Sequence, residues 1–355
     1  MHKEEPVSAK KISAQLAFAL LHKRAVRSLM LFAVFLLAVF LLSFCFGRYG
    51  VPFKELVGIL SSRLFAVEPT WTQQMETVVF NIRLPRILLA CLVGCCLSTA
   101  GAAYQGVFQN PMASPDILGA SSGAAFGAAL AILLGASTGM ITVSAFIFSL
   151  VTVGIVFAVG QRAPGQRVVN LILAGIMISS LFSAGTSYIK LVADPTNQLP
   201  AITYWLMGSL SGAKMKDVAF VAVPMALGLL PLFLLRWRIN LLTFGDDEAR
   251  TMGVNPDALR FVLILCATLI TAASVSVSGM IGWVGLVIPH LCRKAVGSDY
   301  KYLIPASMIF GAVFLLIVDD VSRNLLATEI PIGILTAFIG APFFLYLILR
   351  KEEAR

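Results

Sequence analysis

Long apolar runs separated by short polar segments make up most of the chain. Ten runs approach the roughly 17–25 residues that a helix needs to cross a bilayer. The spans predicted from them are residues 29–46, 84–107, 117–135, 140–159, 169–189, 217–235, 259–278, 282–297, 303–320 and 332–349. The apolar run from Phe261 to Ala295 is too long for one helix, and its glycines and Pro289 divide it. The pattern predicts an all-α polytopic membrane protein.

Two segments between predicted spans are not simple loops. Residues 47–83 contain VPFKELVGILSSRLF, whose spacing of apolar residues is typical of an amphipathic helix on the membrane surface. Residues 195–213 are too short and too interrupted by proline to span. We expect a re-entrant or surface helix there, at the outer mouth of the protein.

Composition supports the membrane class and excludes others. The chain is 58% hydrophobic and 13% charged, with a mean hydropathy of +0.89, whereas soluble domains carry about 25% charged residues. Its net charge of +9 fits the basic loops on the cytoplasmic side of membrane proteins. Because no basic and aromatic motif accompanies this charge, no nucleic-acid partner is expected.

Most Lys and Arg residues lie in the segments that face the cytoplasm if the N-terminus does, so we predict an N-in, C-in topology in a bacterial or archaeal plasma membrane. The predicted organisation is a basic cytoplasmic segment, 1–28, a ten-helix domain, 29–350, and a cytoplasmic tail, 351–355. No cleavage site follows the first span. The basic segment is expected to form a surface helix or a solvated tail.

The predicted spans contain few groups that could carry chemistry. Spans two to five have no charged residue in their central parts, and Asp319, Asp320 and Lys190 lie near outer ends. Ion-coupled carriers and membrane enzymes need ionisable groups at depth. The six cysteines are expected to be packing residues, and no metal site or catalytic set is found. The chain is therefore predicted to form a path across the membrane for a solute and to catalyse no reaction itself. An ion-gradient-driven secondary transporter of a small solute remains the alternative.

The segment FGDDEARTMGVN, residues 244–255, is an acidic island between two apolar runs. Acidic residues in a first turn and Gly253 as a stop are the signals of a short capped helix. Such a helix on the cytoplasmic face could dock into a soluble partner and transmit its motion. A solvated loop between two spans is the other interpretation.

Five motifs, in order, give the chain a resemblance to the FecCD family of ABC-importer permeases, from about residue 29 onward. They are NIRLPRILLACLVGCCLSTAGAAYQGVFQNPMASPDILGASSGA (81–124), LILAG (171–175), FGDDEARTMGV, GMIGWVGLVIPHLCR (279–293) and EIPIGILTAFIGAPFF (329–344). The resemblance implies ten helices per subunit, a homodimer, two cytoplasmic ATPase subunits that hold ATP and Mg, and an extracytoplasmic binding protein. It also implies a metal-chelate cargo, first an iron-siderophore and then haem or cobalamin, with no cofactor or metal bound by this chain.

The resemblance also implies roles for individual residues. The family's coupling helix, which docks on the ATPase, corresponds to about 241–254, and its docking residues here would be Gly245, Asp246, Glu248, Ala249, Arg250 and Gly253. Arginines at the outer face, which meet acidic residues of the binding protein, would be Arg83, Arg86 and Arg323. Guanidinium groups suit that pairing, although snorkelling at a helix end explains Arg83 and Arg86 without a partner.

Further positions complete the set of candidate residues. The loop QRAPGQRVV resembles the region of the cytoplasmic gate, but Val168 and Val169 stand where the resembled gate has small hydroxyl residues, so an apolar gate is expected here. His290 and Arg293, expected at the cytoplasmic end of span eight, would have a coupling or helix-end role. Residues that could line the outer mouth are Tyr188, Tyr204, Trp205 and Met207. Asp116 is expected to cap the helix that follows it. Gly119, Gly123 and Gly127 share one helix face and indicate close packing, either within one chain or between two.

Overall fold

The computed structural model describes residues 7–63, 65 and 68–352, with side chains described from Leu20 onward except at 347, 348 and 350–352. Every regular element in these ranges is helical. The first six residues of the predicted basic segment and residues 353–355 of the predicted tail lie outside the described residues.

Fifteen α-helices follow one another in the described chain. They are α1 (Val7–Ser43), α2 (Phe53–Ser61), α3 (Gln73–Thr77), α4 (Leu84–Val107), α5 (Ala120–Leu133), α6 (Thr138–Arg162), α7 (Arg167–Val192), α8 (Gln198–Leu206), α9 (Met215–Leu234), α10 (Arg236–Thr243), α11 (Asp246–Thr251), α12 (Pro256–Ser278), α13 (Val284–Val296), α14 (Tyr300–Asn324) and α15 (Ile332–Glu352). A wider π-helical turn, Val78–Arg83, joins α3 to α4, and a 3₁₀ turn, Pro115–Leu118, precedes α5.

Each predicted span falls on one helix, and α4 has the predicted bounds. Seven of the described helical segments are long and apolar enough to cross a membrane, whereas the apolar helices 120–133 and 332–346 are shorter. The largest difference lies at the N-terminal end. Residues 7–28 form neither a separate surface helix nor a tail, because they and the first predicted span belong to one continuous helix, α1. The amphipathic helix predicted in 47–83 corresponds to α2, and the re-entrant or surface helix predicted in 195–213 corresponds to α8.

The centre of the fold is a set of helices whose backbones touch. A Cβ atom at Gly94 of α4 would lie 2.2 Å from the carbonyl oxygen of Gly311 in α14, and one at Gly101 would lie 1.8 Å from that of Gly285 in α13. Real side chains cannot approach backbone that closely, so only glycine fits. Small residues of this kind let helices pack tightly in lipid, and here they hold α13 and α14 against α4.

The glycine face on α5 serves the same purpose inside one chain. A Cβ atom at Gly123 would lie 2.0 Å from Thr152 Oγ1 of α6, and one at Gly127 would lie 2.7 Å from the Ser144 carbonyl. Of the two interpretations, packing within one chain and packing between two chains, the first is therefore correct for Gly123 and Gly127. The cap predicted for Asp116 is wrong, because Gly119 occupies the N-cap position of α5, with φ 78°, and the Asp116 carboxylate accepts a hydrogen bond from Ser121.

The helices run between two ends, named here the α8 end and the α11 end after their short helices. At the α8 end, the Ser209 amide donates to the Ser278 carbonyl (2.7 Å) and so joins the segment after α8 to the end of α12. Helices α7 and α15 lie at the periphery and expose apolar side chains, including Met177 (71% exposed) and Phe338 (73%). Their exposed faces are available to lipid or to another protein.

Candidate functional site

The acidic island forms the helix predicted for it. Helix α11 begins after Gly245, whose φ of 117° is accessible to glycine but strained for other residues, and it ends before Gly253, whose φ is 78°. The Gly253 amide donates to the Arg250 carbonyl (3.0 Å), and the next amide, of Val254, donates to the Ala249 carbonyl (3.1 Å). The backbone thus turns at a glycine on each side of this six-residue helix.

The side chains of α11 divide into an inner and an outer set. Asp247 is 94% exposed, and Glu248 also faces outward. Ala249 is completely buried within its own chain, so its side chain packs against that chain, and its part in docking stays a prediction. Phe244 and Met252 flank the helix and are exposed by 64% and 54%. The outer surface of α11 is therefore acidic with an apolar residue on each side.

A buried arginine that the sequence did not single out fixes α11 to the membrane helices. Arg260, one turn into α12, is 5% exposed, and its Nη2 lies 2.8 Å from Asp246 Oδ1. The hydrogen bond from Arg260 lowers the pKa of the Asp246 carboxyl from its ordinary value. Asp246 therefore holds α11 to α12 and is turned toward its own chain.

The same cluster reaches the start of α7. The Arg167 guanidinium forms an ion pair with Asp257 of α12, and Arg250 Nη2 lies 3.7 Å from the other Asp257 oxygen. Arg167, Asp257, Arg250, Asp246 and Arg260 make up what is called here the inner cluster. It joins α7, α11 and α12 through side chains alone.

The two predicted gate residues point in different directions. Val168 lines a polar cavity of about 490 Å³ together with members of the inner cluster, and Gln109 of the α4–α5 loop also lines it. Val169 is 45% exposed and is not part of this cavity. The structure thus brings Val168, but not Val169, together with the predicted coupling residues.

At the opposite end, the three predicted docking arginines lie inside the protein. Arg83, Arg86 and Arg323 are exposed by only 3%, 5% and 6%. The Arg83 guanidinium donates to the backbone carbonyl oxygens of Phe44 and Tyr49. Its contacts are thus local and close the loop after α1.

Arg86 and Arg323 belong to a buried ionic network. Arg86 lies 2.9 Å from Asp319 Oδ1 and 2.9 Å from Glu329 Oε2. Arg323 Nε lies 3.1 Å from Asp319 Oδ2, and its Nη2 contacts Asp320. These five residues, the outer network, connect α4, α14 and the loop before α15.

The outer network differs from the sequence-based expectation of arginines presented on the surface. The prediction could not anticipate that Asp319 and Glu329, which are 10 residues apart along the chain, would both reach Arg86. A partner carboxylate would have to compete with internal partners to reach these side chains. Docking by Arg83, Arg86 and Arg323 stays a prediction.

An apolar cavity of about 650 Å³ lies between the end of α8, the loop 279–283 and α15. Its lining contains Met207, one of the predicted mouth residues, but no charged side chain. Tyr204 and Trp205 line a separate cavity of about 380 Å³ on the other side of α8. Tyr188, 65% exposed on α7, lines neither. The predicted mouth residues are therefore divided among three surfaces.

Trp283 is the most informative residue that the sequence analysis did not single out. It lines the 650 Å³ cavity, and its φ of 70° is rare for a residue other than glycine. A Cβ atom at Gly340 of α15 would lie 2.5 Å from Trp283 Cβ, so α15 crosses directly over this residue. The glycines on either side of it in GMIGWVG are the signal that could have identified it.

The two residues predicted near the end of span eight have separate environments. His290 lies in the middle of α13 rather than at its end, and its ring is 6.4 Å from the ring of Phe343 in α15. Arg293 Nη1 donates to Gln105 of α4 (2.6 Å), and Nη2 donates to the Tyr300 hydroxyl (3.3 Å). Arg293 therefore cross-links three helices. Among the described residues, no three His, Cys, Asp or Glu side chains gather as a metal site.

Comparison with known proteins places this geometry in a family. The FecCD transport family matches residues 35–350. The chain is 40% identical to the molybdate import system permease protein MolB of Haemophilus influenzae, over 91% of this chain and 96% of that protein. It is 41% identical to the hemin transport system permease protein HmuU of Yersinia pestis, over 79% of this chain and 86% of that protein.

A solved structure agrees with these relatives. It is an inward-facing conformation of a metal-chelate-type ABC transporter, 38% identical, with a TM-score of 0.82 over 91% of this chain and 98% of that chain. Helices of sufficient length and hydropathy to cross a membrane recur along the described chain. The protein is therefore a multi-pass membrane permease of the plasma membrane, and it belongs to the FecCD transport family of ABC transporters.

Proposed function

We propose that this chain is the membrane subunit of a homodimeric ABC importer that moves a metal chelate into the cell. Its ten spans would have both termini in the cytoplasm, which makes the α11 end cytoplasmic and the α8 end external. An extracytoplasmic binding protein would deliver the cargo, and two ATPase subunits would bind ATP and Mg. The chain itself would catalyse no reaction.

The observation that carries the proposal is the construction of α11. A short helix with an acidic outer surface projects between two glycine turns, yet buried Arg260 anchors its inner face to α12. A projecting element that is held rigidly can transmit the motion of a soluble subunit. Glu248, which is exposed like its neighbour Asp247, is placed to pair with a basic group of the ATPase.

A second copy of the chain explains the peripheral helices. The exposed apolar side chains of α7 and α15, and the apolar cavity beside α15, would lie against the partner subunit and enclose a path between the two copies. A photo-crosslinking residue at Phe338 should then produce a dimer of the chain in membranes. The same residue at Leu31, which is 59% exposed on α1, is the lipid-facing control and should crosslink far less.

The uncharged lining of the cavity favours a bulky cargo that is bound weakly along its path. Such a surface suits an iron-siderophore first, and haem or cobalamin next. The relatives named above are permeases for molybdate and for hemin, so the family alone does not select the cargo. Specificity is expected to reside largely in the binding protein.

The test is uptake of radiolabelled ferric siderophore, haem, cobalamin and molybdate in cells with and without the gene, with and without ATP depletion. We expect the deletion to abolish ATP-dependent uptake of one metal compound. Restoring the gene with Glu248→Arg should leave the protein in the membrane but uncouple ATP hydrolysis from uptake. Glu68→Arg, an exposed charge reversal at the α8 end, is the matched control and should transport normally.

Two results would contradict the proposal. Uptake that survives ATP depletion and collapses with the ion gradient would identify a secondary transporter instead. Normal coupling in Glu248→Arg would remove α11 from the contact with the ATPase, even if the importer assignment held.

A further inference from the structure

Basic side chains gather where α13 ends and α14 begins, at the α11 end of the protein. They are separate from the inner cluster. Arg24 of α1 donates through Nη2 to the Lys294 carbonyl (3.1 Å), and Arg236 of α10 donates through Nε to the Lys301 carbonyl (3.2 Å). Because Lys294 lies near the end of α13 and Lys301 near the start of α14, arginines from α1 and α10 contact the backbone on either side of the junction between these two helices. Arg24, Arg236, Lys294 and Lys301 are named here the rim cluster.

The rim cluster lacks the carboxylates that neutralise the inner cluster. Among the described residues, none of its four side chains forms an ion pair. The nearest acid, Asp299, is used as the cap of α14, since its Oδ1 accepts from the Lys301 amide (2.8 Å) and from Asn240 (2.7 Å). His22 adds a further polar group, with Nδ1 2.5 Å from the Tyr302 hydroxyl.

The charged ends of Arg24, Lys294 and Lys301 retain donors for an anion, whereas Arg236 donates to two backbone carbonyls and lies 4.0 Å from the Phe233 ring. Within the described part of the chain, the ammonium groups of Lys301 and Lys294 contact rings, with Nζ 5.5 Å from the Tyr302 ring and 6.0 Å from the Phe343 ring. Arg24 uses one of its five N–H donors in the contact described above. Several unused donors from different helices thus surround the beginning of α14.

Exposed apolar residues border the rim cluster on both sides. On α1, Leu20 and Leu21 are 67% and 62% exposed, within one turn of Arg24. On the other side, Leu234 and Trp237 are 59% and 50% exposed and flank Arg236. An exposed tryptophan beside bases is typical of the boundary between hydrocarbon and headgroups. The rim cluster therefore faces the membrane boundary.

We propose that the rim cluster binds the phosphate of an anionic phospholipid in the cytoplasmic leaflet, with the acyl chains along α1 and α9. Basic pockets between membrane helices on this side are suited to anionic headgroups. The inner cluster does not compete, because carboxylates of its own chain already pair its arginines. Lipid binding at the rim cluster does not depend on transport activity. The assignment to the cytoplasmic leaflet rests on the orientation given under the proposed function.

Lipid binding to the purified full-length protein tests this inference. The protein in an uncharged detergent is titrated with phosphatidylglycerol or phosphatidylcholine, and bound lipid is counted by native mass spectrometry. We expect a preference for phosphatidylglycerol that weakens with added salt. At about fivefold per basic residue, Arg24→Gln combined with Lys301→Gln should lower the affinity for phosphatidylglycerol roughly 30-fold and leave phosphatidylcholine unchanged.

Lys54→Gln combined with Lys216→Gln removes two exposed bases at the α8 end and should change neither affinity. Equal loss in both double variants would overturn the proposal, because net charge alone would then explain binding. Displacement of the lipid by an equal concentration of inorganic phosphate would overturn it as well. So would unchanged lipid binding together with weaker binding of the ATPase, which would make the rim cluster a protein interface. Thermal unfolding in detergent alone checks that each variant is folded.

Discussion

The outer network and the inner cluster contain similar residues in opposite surroundings. Arg86, Arg323 and Asp319 in the outer network have side chains exposed by 7% or less. In the inner cluster, Arg167 and Asp257 are exposed by 51% and 34%. The two sets of arginine–aspartate pairs thus differ in their access to water, except that Arg260 of the inner cluster is as buried as the arginines of the outer network.

That difference predicts different roles. A buried charge that loses its partner has no water to replace it, so breaking a buried pair is strongly destabilising. An exposed pair contributes little to stability and can break and form again at low cost. The outer network is therefore expected to fix α4, α14 and the loop before α15, whereas the exposed pair of Arg167 and Asp257 can break and form again while α7 moves and Arg260 keeps α11 on α12.

The largest expected effect separates the two sets by stability. Asp319→Ala should lower the free energy of unfolding by about 3–5 kcal/mol, because it leaves Arg86 and Arg323 short of a counter-charge in a buried site. Asp257→Ala, the matched change in the inner cluster, should cost about 0–1 kcal/mol. Denaturant unfolding in detergent measures both. Equal losses would mean that burial does not distinguish the two sets.

A charge exchange tests whether the inner cluster carries coupling. Arg167→Glu or Asp257→Arg should place like charges together and reduce ATP-dependent uptake by roughly 2- to 30-fold, the range of about 0.5–2 kcal/mol seen for residues that modulate coupling. The double variant should restore part of the uptake, because positions 167 and 257 pair again while Arg250 and Arg260 still lie beside position 257. Reconstituted transport per ATP hydrolysed is the measurement, and no recovery in the double variant would refute a direct contact.

A conservative change in the outer network tests the proposed docking of the binding protein. Glu329→Gln keeps the shape of the side chain but weakens its hold on Arg86, which retains Asp319. If Arg86 also meets an acidic partner, association should strengthen by about 1.4- to 5-fold, corresponding to a partly exposed pair of roughly 0.2–1 kcal/mol. Surface plasmon resonance with the binding protein at low salt measures this. Unchanged or weaker association would assign Arg86 a purely internal role.

The smallest expected effect concerns pH. Because the pKa of Asp246 is lowered in the folded protein, its pair with Arg260 stabilises α11 above the ordinary Asp pKa of about 3.9. That contribution is lost only when the pH falls through the lowered, folded-state pKa. Protection of α11 amides from hydrogen exchange, corrected for intrinsic rates, should therefore be flat from pH 8 to pH 5. Asp246→Asn should reduce protection throughout this range, and a decline confined to pH 6–5 in the unmodified protein would contradict the assignment.

The sequence predicted the helices well because the bilayer imposes their length. The bounds of α4 follow from Pro85 near its start and from the end of its apolar run. The helix α11 was also predictable, since Gly245 and Gly253 mark both of its ends. In each case the signal is local and lies within a few residues of the element that it determines.

Partners that are distant along the chain could not be predicted in this way. Arg86 lies 233 residues from Asp319, and Arg83, Arg86 and Arg323 looked like surface residues because their internal acceptors were unknown. Ala249 looked like a contact residue because its small size suits both an interface and a core. Sequence spacing on one helix does not reveal which face another helix will cover, and burial decides the role in each of these examples.

The contact between Gly101 and Gly285 has a mechanical consequence. Where two backbones touch, no side chain lies between them to change rotamer, so α4 and α13 cannot slide past each other by small repacking steps. The pair of helices should move as one stiff body during a transport cycle. Opening of a path is then expected to come from movement of elements outside that body, such as α15, which packs against few other helices.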